Sequence, residues 1–331
     1  MNKTILLAHR PVGTPTLKDF KNAETEMPVA KDGEILLKTL YISVDPYIRG
    51  RMNDAKSYVP PFELNKPIQS GIIAEVVDSK NPAFTKGDFL SGIIDWKEYQ
   101  VSSGKGLIKV DKAAAPLSAY LGVLGMTGLT AYMGLVEIAQ PKAGETLVVS
   151  GAAGAVGSIA GQIGKILGCT VVGITGSDEK AALIKSKFKF DDAINYKTAP
   201  NLNSAIKHAC PKGIDIYFDN VGGEISDAVL YNINKHARIS VCGAISLYNS
   251  TMVPIGPRIQ PIIVSKSAMM RGFIISDFYE KFPQGIKQLA TWLKEGKLTY
   301  TETIVEGFDN APQAFLDLFE GKNEGKMVVK V

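Results

Sequence analysis

The residues best arranged for chemistry lie in Leu147-Val-Val-Ser-Gly-Ala-Ala-Gly-Ala-Val-Gly157. An apolar, strand-like run empties into small residues. Their core, Ala152-Ala153-Gly154-Ala155-Val156-Gly157, is a dinucleotide fingerprint with Ala in place of its first glycine. Such a segment must bring bare backbone against a pyrophosphate. Gly154 permits that approach, and Gly157 lets the following helix pack closely on the sheet. The helix start then offers unpaired N–H groups and a positive dipole end to the phosphates. A tight strand–helix turn without a ligand would use the same glycines. The preceding strand, the amphipathic helix and the βα units that follow favour binding.

Cofactor choice is read at the end of the next strand, in Thr175-Gly-Ser-Asp-Glu-Lys180. NAD-binding units usually place an acid there to hold the ribose 2′-hydroxyl. Here the position carries Thr175, Gly176 and Ser177, small groups with room for a 2′-phosphate. Lys180, one turn into the next helix, is the candidate counter-charge, its alternative being an ordinary solvated lysine. Asp178 and Glu179 argue against a phosphate, yet they also suit a helix first turn. NADP(H) is the expected cofactor.

Zinc-assisted alcohol oxidation needs Cys, His and carboxylate ligands converging on one ion. The histidines are His9, His208 and His236, none at ligand-like spacing from Cys169, Cys210 or Cys242, and three cysteines cannot build a four-cysteine site. No metal is expected.

The elements that must position these residues follow from periodicity. Residues 34–42, 71–77 and 96–101 read as strands and Phe84-Thr-Lys-Gly-Asp88 as a tight turn, a spacing that predicts a small antiparallel barrel. Beyond residue 145 six short strands are predicted, at 146–150, 170–174, 192–196, 214–219, 238–242 and 270–275. Helical stretches separate most of them, which predicts a parallel sheet. Val156, Ile159, Ala160, Ile163 and Leu167 share one helical face, with Gly168 as its stop. Ala181, Leu183, Ile184 and Phe188 form a second stripe. The strand-like tail, 300–331, is expected to rejoin the barrel. The uncharged stretch 113–136 is long enough to span a bilayer, but Pro116 and four glycines interrupt it, so two packed helical pieces are the better reading.

A chain of 331 residues, 45% hydrophobic and 21% charged, fits two ordinary globular domains. The net charge of +4 is spread without a basic stripe, so neither nucleic acid nor a membrane is the expected partner. Three scattered cysteines and an N-terminus without signal-peptide pattern point to the cytoplasm.

Ordered segments then carry a resemblance. They are Ser43-Val-Asp-Pro-Tyr-Ile-Arg-Gly-Arg-Met52, Gly125-Met-Thr-Gly-Leu-Thr-Ala-Tyr132, the glycine loop, Gly176-Ser-Asp-Glu-Lys180, Phe218-Asp-Asn-Val-Gly-Gly223, Cys242-Gly-Ala-Ile-Ser246 with Tyr248-Asn249, and Gly325-Lys-Met-Val-Val-Lys330. The chain resembles the medium-chain dehydrogenase/reductase superfamily. Within it, the likeness is to the zinc-independent branch of leukotriene B4 12-hydroxydehydrogenase/prostaglandin reductase, alkenal double-bond reductases and curcumin reductases. Where zinc relatives carry Gly-His-Glu, this chain has Ile68-Gln-Ser70.

The resemblance implies a GroES-like β-barrel catalytic domain, 1–124 with 298–331, and a doubly wound Rossmann domain, 125–297. It implies NADPH between them and a homodimer pairing edge strands, here 270–275. By position, Lys180, Tyr196, Ser177 and Gly176 surround the 2′-phosphate. Ala153, Gly154, Ala155, Val156 and Gly157 hold the pyrophosphate. Asn220, Cys242, Gly243, Ala244, Ile245, Phe273, Ile274, Ile275 and Asn323 line the rest of the cofactor. Met126 and Thr127 sit near the nicotinamide, and Tyr47 and Tyr248 lie over the substrate.

The implied reaction is hydride transfer to the β-carbon of a conjugated enone or enal, with a quinone as the alternative substrate. Tyr248 is the candidate donor to the carbonyl oxygen, or simply packs on the cofactor. Tyr47 positions substrate or returns a proton, or is only a wall. Residues 276–279 depart from the family pattern, which leaves substrate choice open.

Overall fold

Alternating burial shapes the first strands of the computed structural model, which describes residues 1–331. β1 (Asn2–Leu7) pairs antiparallel with β2 (Phe20–Thr25). β3 (Ile35–Ser43) buries Ile35, Leu37 and Thr39 in alternation. The short helix α1 (Tyr47–Arg51) follows, then β4 (Gln69–Ser79), β5 (Phe89–Asp95), β6 (Tyr99–Ser102) and β7 (Ile108–Val110). β3 pairs antiparallel with β4 along one side. Register shifts at Leu36/Leu37 and Thr39/Tyr41 interrupt that ladder. The predicted turn before β5 is present: Gly87 adopts φ 93° and Thr85 N–H donates to the Asp88 carboxylate at 2.8 Å. Strands β1, β2, β5 and β7 were absent from the pattern reading, because their alternation is weak or short.

A 3₁₀ turn at Leu117–Leu121 and helix α2 (Met126–Met133) divide the uncharged stretch into two pieces. No helix is long and apolar enough to cross a membrane. Then come β8 (Thr146–Ser150), α3 (Gly157–Ile166), β9 (Thr170–Thr175), α4 (Asp178–Ser186), β10 (Asp192–Asn195) and α5 (Leu202–Ala209). They are followed by β11 (Ile214–Asp219), α6 (Gly223–Leu230), β12 (Ile233–Val241), α7 (Gln260–Lys266), β13 (Met269–Gly272) and α8 (Phe282–Lys294). The six strands form one parallel sheet in the order β10-β9-β8-β11-β12-β13. That is the doubly wound Rossmann order, and its direction reverses between β8 and β11, where such sheets bind ligands.

Two departures from the predicted elements have local causes. The last strand ends at Gly272 instead of 275. Phe273 leaves the ladder to pack edge-on against Phe218, at 6.5 Å, and Phe278, at 6.2 Å. Helix α3 is buried along its whole first half, not on one stripe. A Cβ at Gly161 would stand 1.9 Å from the Phe190 ring, and one at Gly164 would stand 2.4 Å from Leu147. Small residues let this helix sink onto the sheet.

The tail adds β14 (Glu302–Glu306), α9 (Ala311–Phe319) and β15 (Lys326–Lys330). β15 pairs antiparallel with β3, beside the stretch of β3 that β6 covers. The chain thus forms two compact units: Met1–Leu121 with Glu302–Asn323 and Met327–Val331, and Gly122–Thr301 with Glu324–Lys326. The first has its own core around Ile35, Leu37, Ile72, Trp96 and Phe315.

Candidate active site

The glycine loop leaves β8 through Gly151, at φ 61°. It is pinned by Ala152 N–H donating to the Ile174 carbonyl at 3.1 Å and Gly154 N–H donating to the Gly151 carbonyl at 3.0 Å. A Cβ at Gly154 would lie 3.2 Å from the Gly151 carbonyl oxygen, and one at Gly157 only 2.3 Å from it. Gly157 is therefore required by the loop's own carbonyl, a tighter demand than helix–sheet packing. Ala155 and Val156 lead directly into the first turn of α3, where Ser158 N–H donates to the Gly154 carbonyl at 3.0 Å and Ala160 N–H to the Val156 carbonyl at 2.9 Å. The tail closes on this loop: Gly325 N–H donates to the Ala153 carbonyl at 2.8 Å, and Lys326 N–H to the Thr301 carbonyl at 2.9 Å. Of that tail segment, only Asn323 is a sequence-predicted site residue, and it lies two residues before Gly325.

Across the switch point, Asp219 ends β11 almost fully buried and organises everything around it. Its carboxylate accepts from Ser150 Oγ at 2.9 Å, Tyr217 Oη at 2.8 Å, Val221 N–H at 3.0 Å, Gly222 N–H at 2.9 Å and Ser226 Oγ at 2.9 Å. Its backbone carbonyl accepts from Cys242 and Gly243 N–H. Asn220 is locked in turn: its N–H donates to Ser150 Oγ at 2.9 Å and its Nδ2 to the Ser150 carbonyl at 2.7 Å. Sequence reasoning passed over Asp219. Its signal was a carboxylate ending an apolar strand, which burial makes tolerable only with several donors.

The loop after β12 completes this side. Burial, with Asp219 nearby, pushes the Cys242 thiol up to about 12, so it stays neutral and acts by packing. Ala244 N–H donates to Tyr248 Oη at 3.4 Å, and that oxygen lies 3.0 Å from where a Cβ on Gly243 would stand. Tyr248 thus folds back over the 242–245 turn, with Ile245 opening the short 3₁₀ turn that carries it. Phe273 packs inward on Phe218, while Ile274 and Ile275 lead into the next 3₁₀ turn.

At the end of β9, Thr175 is buried and its hydroxyl donates to the Ser177 carbonyl at 3.2 Å. Ser177 caps α4, its Oγ accepting from Lys180 N–H at 3.2 Å. The two acids behave as helix-start residues. Asp178 accepts from Asn195 Nδ2 at 2.8 Å, and Glu179 is held below the usual carboxylate range by its own N–H and the Ser177 hydroxyl. Tyr196 lies over Gly176, where a Cβ would meet its ring and hydroxyl at 3.3 Å. Burial lowers the Lys180 ammonium's proton affinity, Glu324 opposes that shift and Lys197 adds to it. Lys197 and Glu324 were not singled out from sequence.

In the first unit, Tyr47 opens α1 with its hydroxyl buried and without a hydrogen-bond partner. Burial, then Asp45, pushes its phenol well above the ordinary value. Arg49, in the next turn, donates to the Pro11 carbonyl at 3.2 Å and the Gly13 carbonyl at 2.9 Å, which fixes the loop. In the second unit, Met126 and Thr127 open α2. The Met126 carbonyl accepts from Thr130 Oγ1 at 2.7 Å, and Thr127 Oγ1 is buried without a partner. Buried hydroxyls left unpaired are costly unless another group completes them.

Nowhere do three or more His, Cys, Asp or Glu side chains gather to hold a metal ion. At Ile68-Gln-Ser70, Ile68 is wholly buried and Ser70 Oγ accepts from Trp96 Nε1 at 2.8 Å.

This fold and loop define a two-unit dehydrogenase/reductase of the Rossmann type. Residues 3–110 match the family model described as "N-terminal domain of oxidoreductase", and residues 155–291 match "Zinc-binding dehydrogenase". The chain belongs to the medium-chain dehydrogenase/reductase superfamily, in the branch of the curcumin, alkenal and prostaglandin reductases. It is 56% identical to YfmJ of Bacillus subtilis (strain 168), over 99% of this chain and 97% of that one. It is 43% identical to the NADPH-dependent curcumin reductase of Escherichia coli (strain K12), over 100% and 97%. The crystal structure of CurA from Vibrio vulnificus in complex with NADPH superposes with a TM-score of 0.95, at 45% identity and 99% coverage of both chains. The chain is an NADP-dependent oxidoreductase with a GroES-like N-terminal domain and a parallel Rossmann sheet.

Proposed function

We propose that this enzyme reduces the carbon–carbon double bond of α,β-unsaturated ketones and aldehydes with NADPH, without zinc. The observation that carries the reading is the donor set. Where zinc relatives carry His and Glu, this chain has Gln69, which donates to the Asp95 carboxylate at 2.9 Å, and Ser70, whose hydroxyl is consumed by the Trp96 indole. The buried, unpartnered hydroxyls of Tyr47 and Thr127 suit polar atoms of a bound ligand. Curcumin, the substrate in one relative's name, has its double bonds conjugated to carbonyls.

NADPH, when bound, supplies a hydride to the substrate's β-carbon. The chain's own residues handle the charge and the proton that follow. Gly154 and Gly157 accept the pyrophosphate at the start of α3, Asn220 and residues 242–245 fix the cofactor's middle, and Lys180 answers the 2′-phosphate. Negative charge gathers on the substrate's carbonyl oxygen, and Tyr248 is the proposed hydroxyl donor to it. Tyr47 positions the substrate and returns a proton to the α-carbon, directly or through water. Burial, then Asp45, raises its pKa further above the neutral range, so the phenol is present as the protonated donor.

We further read a homodimer formed through β13, an edge strand paired on one side by β12, and a cytoplasmic setting that suits three free thiols. NADPH consumption with 2-alkenals, 3-alken-2-ones and benzoquinone, with and without a chelator, tests the function. Enone and enal turnover insensitive to chelator is expected. Turnover confined to quinones would make this a quinone reductase instead, and loss with chelator would return a metal to the mechanism.

A further inference from the structure

The cofactor's 2′-phosphate end holds a cation that neither the sequence nor the family pattern singled out. Tyr196 N–H donates to the Thr175 carbonyl at 3.1 Å, extending the β9–β10 pairing by one residue, and Lys197 N–H donates to Asn195 Oδ1 at 3.1 Å. These bonds fix the turn after β10 over Gly176. A Cβ built on Gly176 would stand 3.3 Å from Tyr196 Oη and 3.5 Å from Lys197 Cε. The Lys197 stem therefore lies across the same bare backbone that Tyr196 covers, with its ammonium one bond further on.

We propose that Lys197 is a second phosphate-recognising cation, which together with Lys180 makes the site prefer NADPH over NADH.

Two ammonium groups near one another repel, and Lys197 lowers the proton affinity of Lys180. Glu324 is the carboxylate acting on Lys180. A 2′-phosphate, carrying between one and two negative charges near neutral pH, would offset the repulsion between the two lysines. The 2′-hydroxyl of NADH brings no charge to meet the second lysine. Gly176 is the small residue that leaves room, since any side chain there would press on Tyr196. The inference rests on the proposed placement of the 2′-phosphate at Lys180, and its test separates the two.

NADPH and NADH dissociation constants are measured by fluorescence titration on the full-length protein, for the wild type, Lys197→Gln, Lys197→Arg and Lys180→Gln. Lys197→Gln is expected to weaken NADPH about tenfold, one lost charge-assisted hydrogen bond, with NADH within about twofold. Lys197→Arg retains most of the NADPH affinity. Lys197 is exposed, so folding is not at stake, and thermal melting of each variant verifies this. An equal change for both cofactors, or none, while Lys180→Gln loses NADPH selectively, overturns the role of Lys197. If Lys180→Gln also shows no selective loss, the placement of the phosphate itself is wrong.

Discussion

At the scale of single residues, unsatisfied groups say more than conspicuous ones. The Tyr47 hydroxyl is buried and bonds to nothing in the chain. A tyrosine kept only for packing would lose nothing on becoming phenylalanine, and relief of an unpaired hydroxyl would stabilise it slightly. Tyr47→Phe should therefore leave the melting temperature unchanged or slightly raised, while kcat on an enone falls by about tenfold or more. Unchanged kcat would reduce Tyr47 to a wall. Residue types and spacing in the sequence pointed to Lys180 and the glycines, and the family resemblance pointed to Tyr47. Asp219 escaped because its function is made by five donors that only folding assembles. Lys197 escaped for a similar reason: nothing local announces that the turn after β10 will lie over Gly176.

At the scale of elements, the strand–loop–helix unit from β8 to α3 is the proposed cofactor site. Its turn leaves no space for a methyl group at 157, since the Gly151 carbonyl oxygen would be 2.3 Å away. Gly157→Ala must shift the loop proposed to meet the pyrophosphate, a part shared by both nicotinamide cofactors. NADPH and NADH binding should weaken together, by about tenfold or more, unlike the selective loss at Lys180. Titration of both cofactors against this variant checks it, and a loss confined to NADPH would contradict it. The parallel-sheet strands were legible because buried β-branched runs alternate with helical stripes. The end of β13 was not, since Phe218 and Phe278 draw Phe273 out of the ladder through contacts distant in sequence. Strands β1 and β2 were missed because β2 is mostly exposed and lacks the alternation that marks a half-buried strand.

At the scale of the whole molecule, the chain builds one unit, passes to a second and returns. The return was legible in the strand-like tail. That Glu324–Lys326 side with the second unit was not, because the assignment depends on Gly325 meeting Ala153 at the glycine loop. Gly325 adopts φ 63°, and a Cβ there would stand 1.9 Å from the Thr301 carbonyl oxygen, so the docking tolerates only glycine. The proposed reaction on a conjugated carbonyl delivers hydride to the β-carbon and a proton to the α-carbon, without a metal. The most direct test is turnover of an enone with NADPH carrying deuterium at nicotinamide C4, followed by mass spectrometry and NMR of the product. A saturated ketone with that deuterium on its β-carbon is expected, with solvent deuterium on the α-carbon when the reaction is run in heavy water. An allylic alcohol with deuterium on the former carbonyl carbon would contradict it.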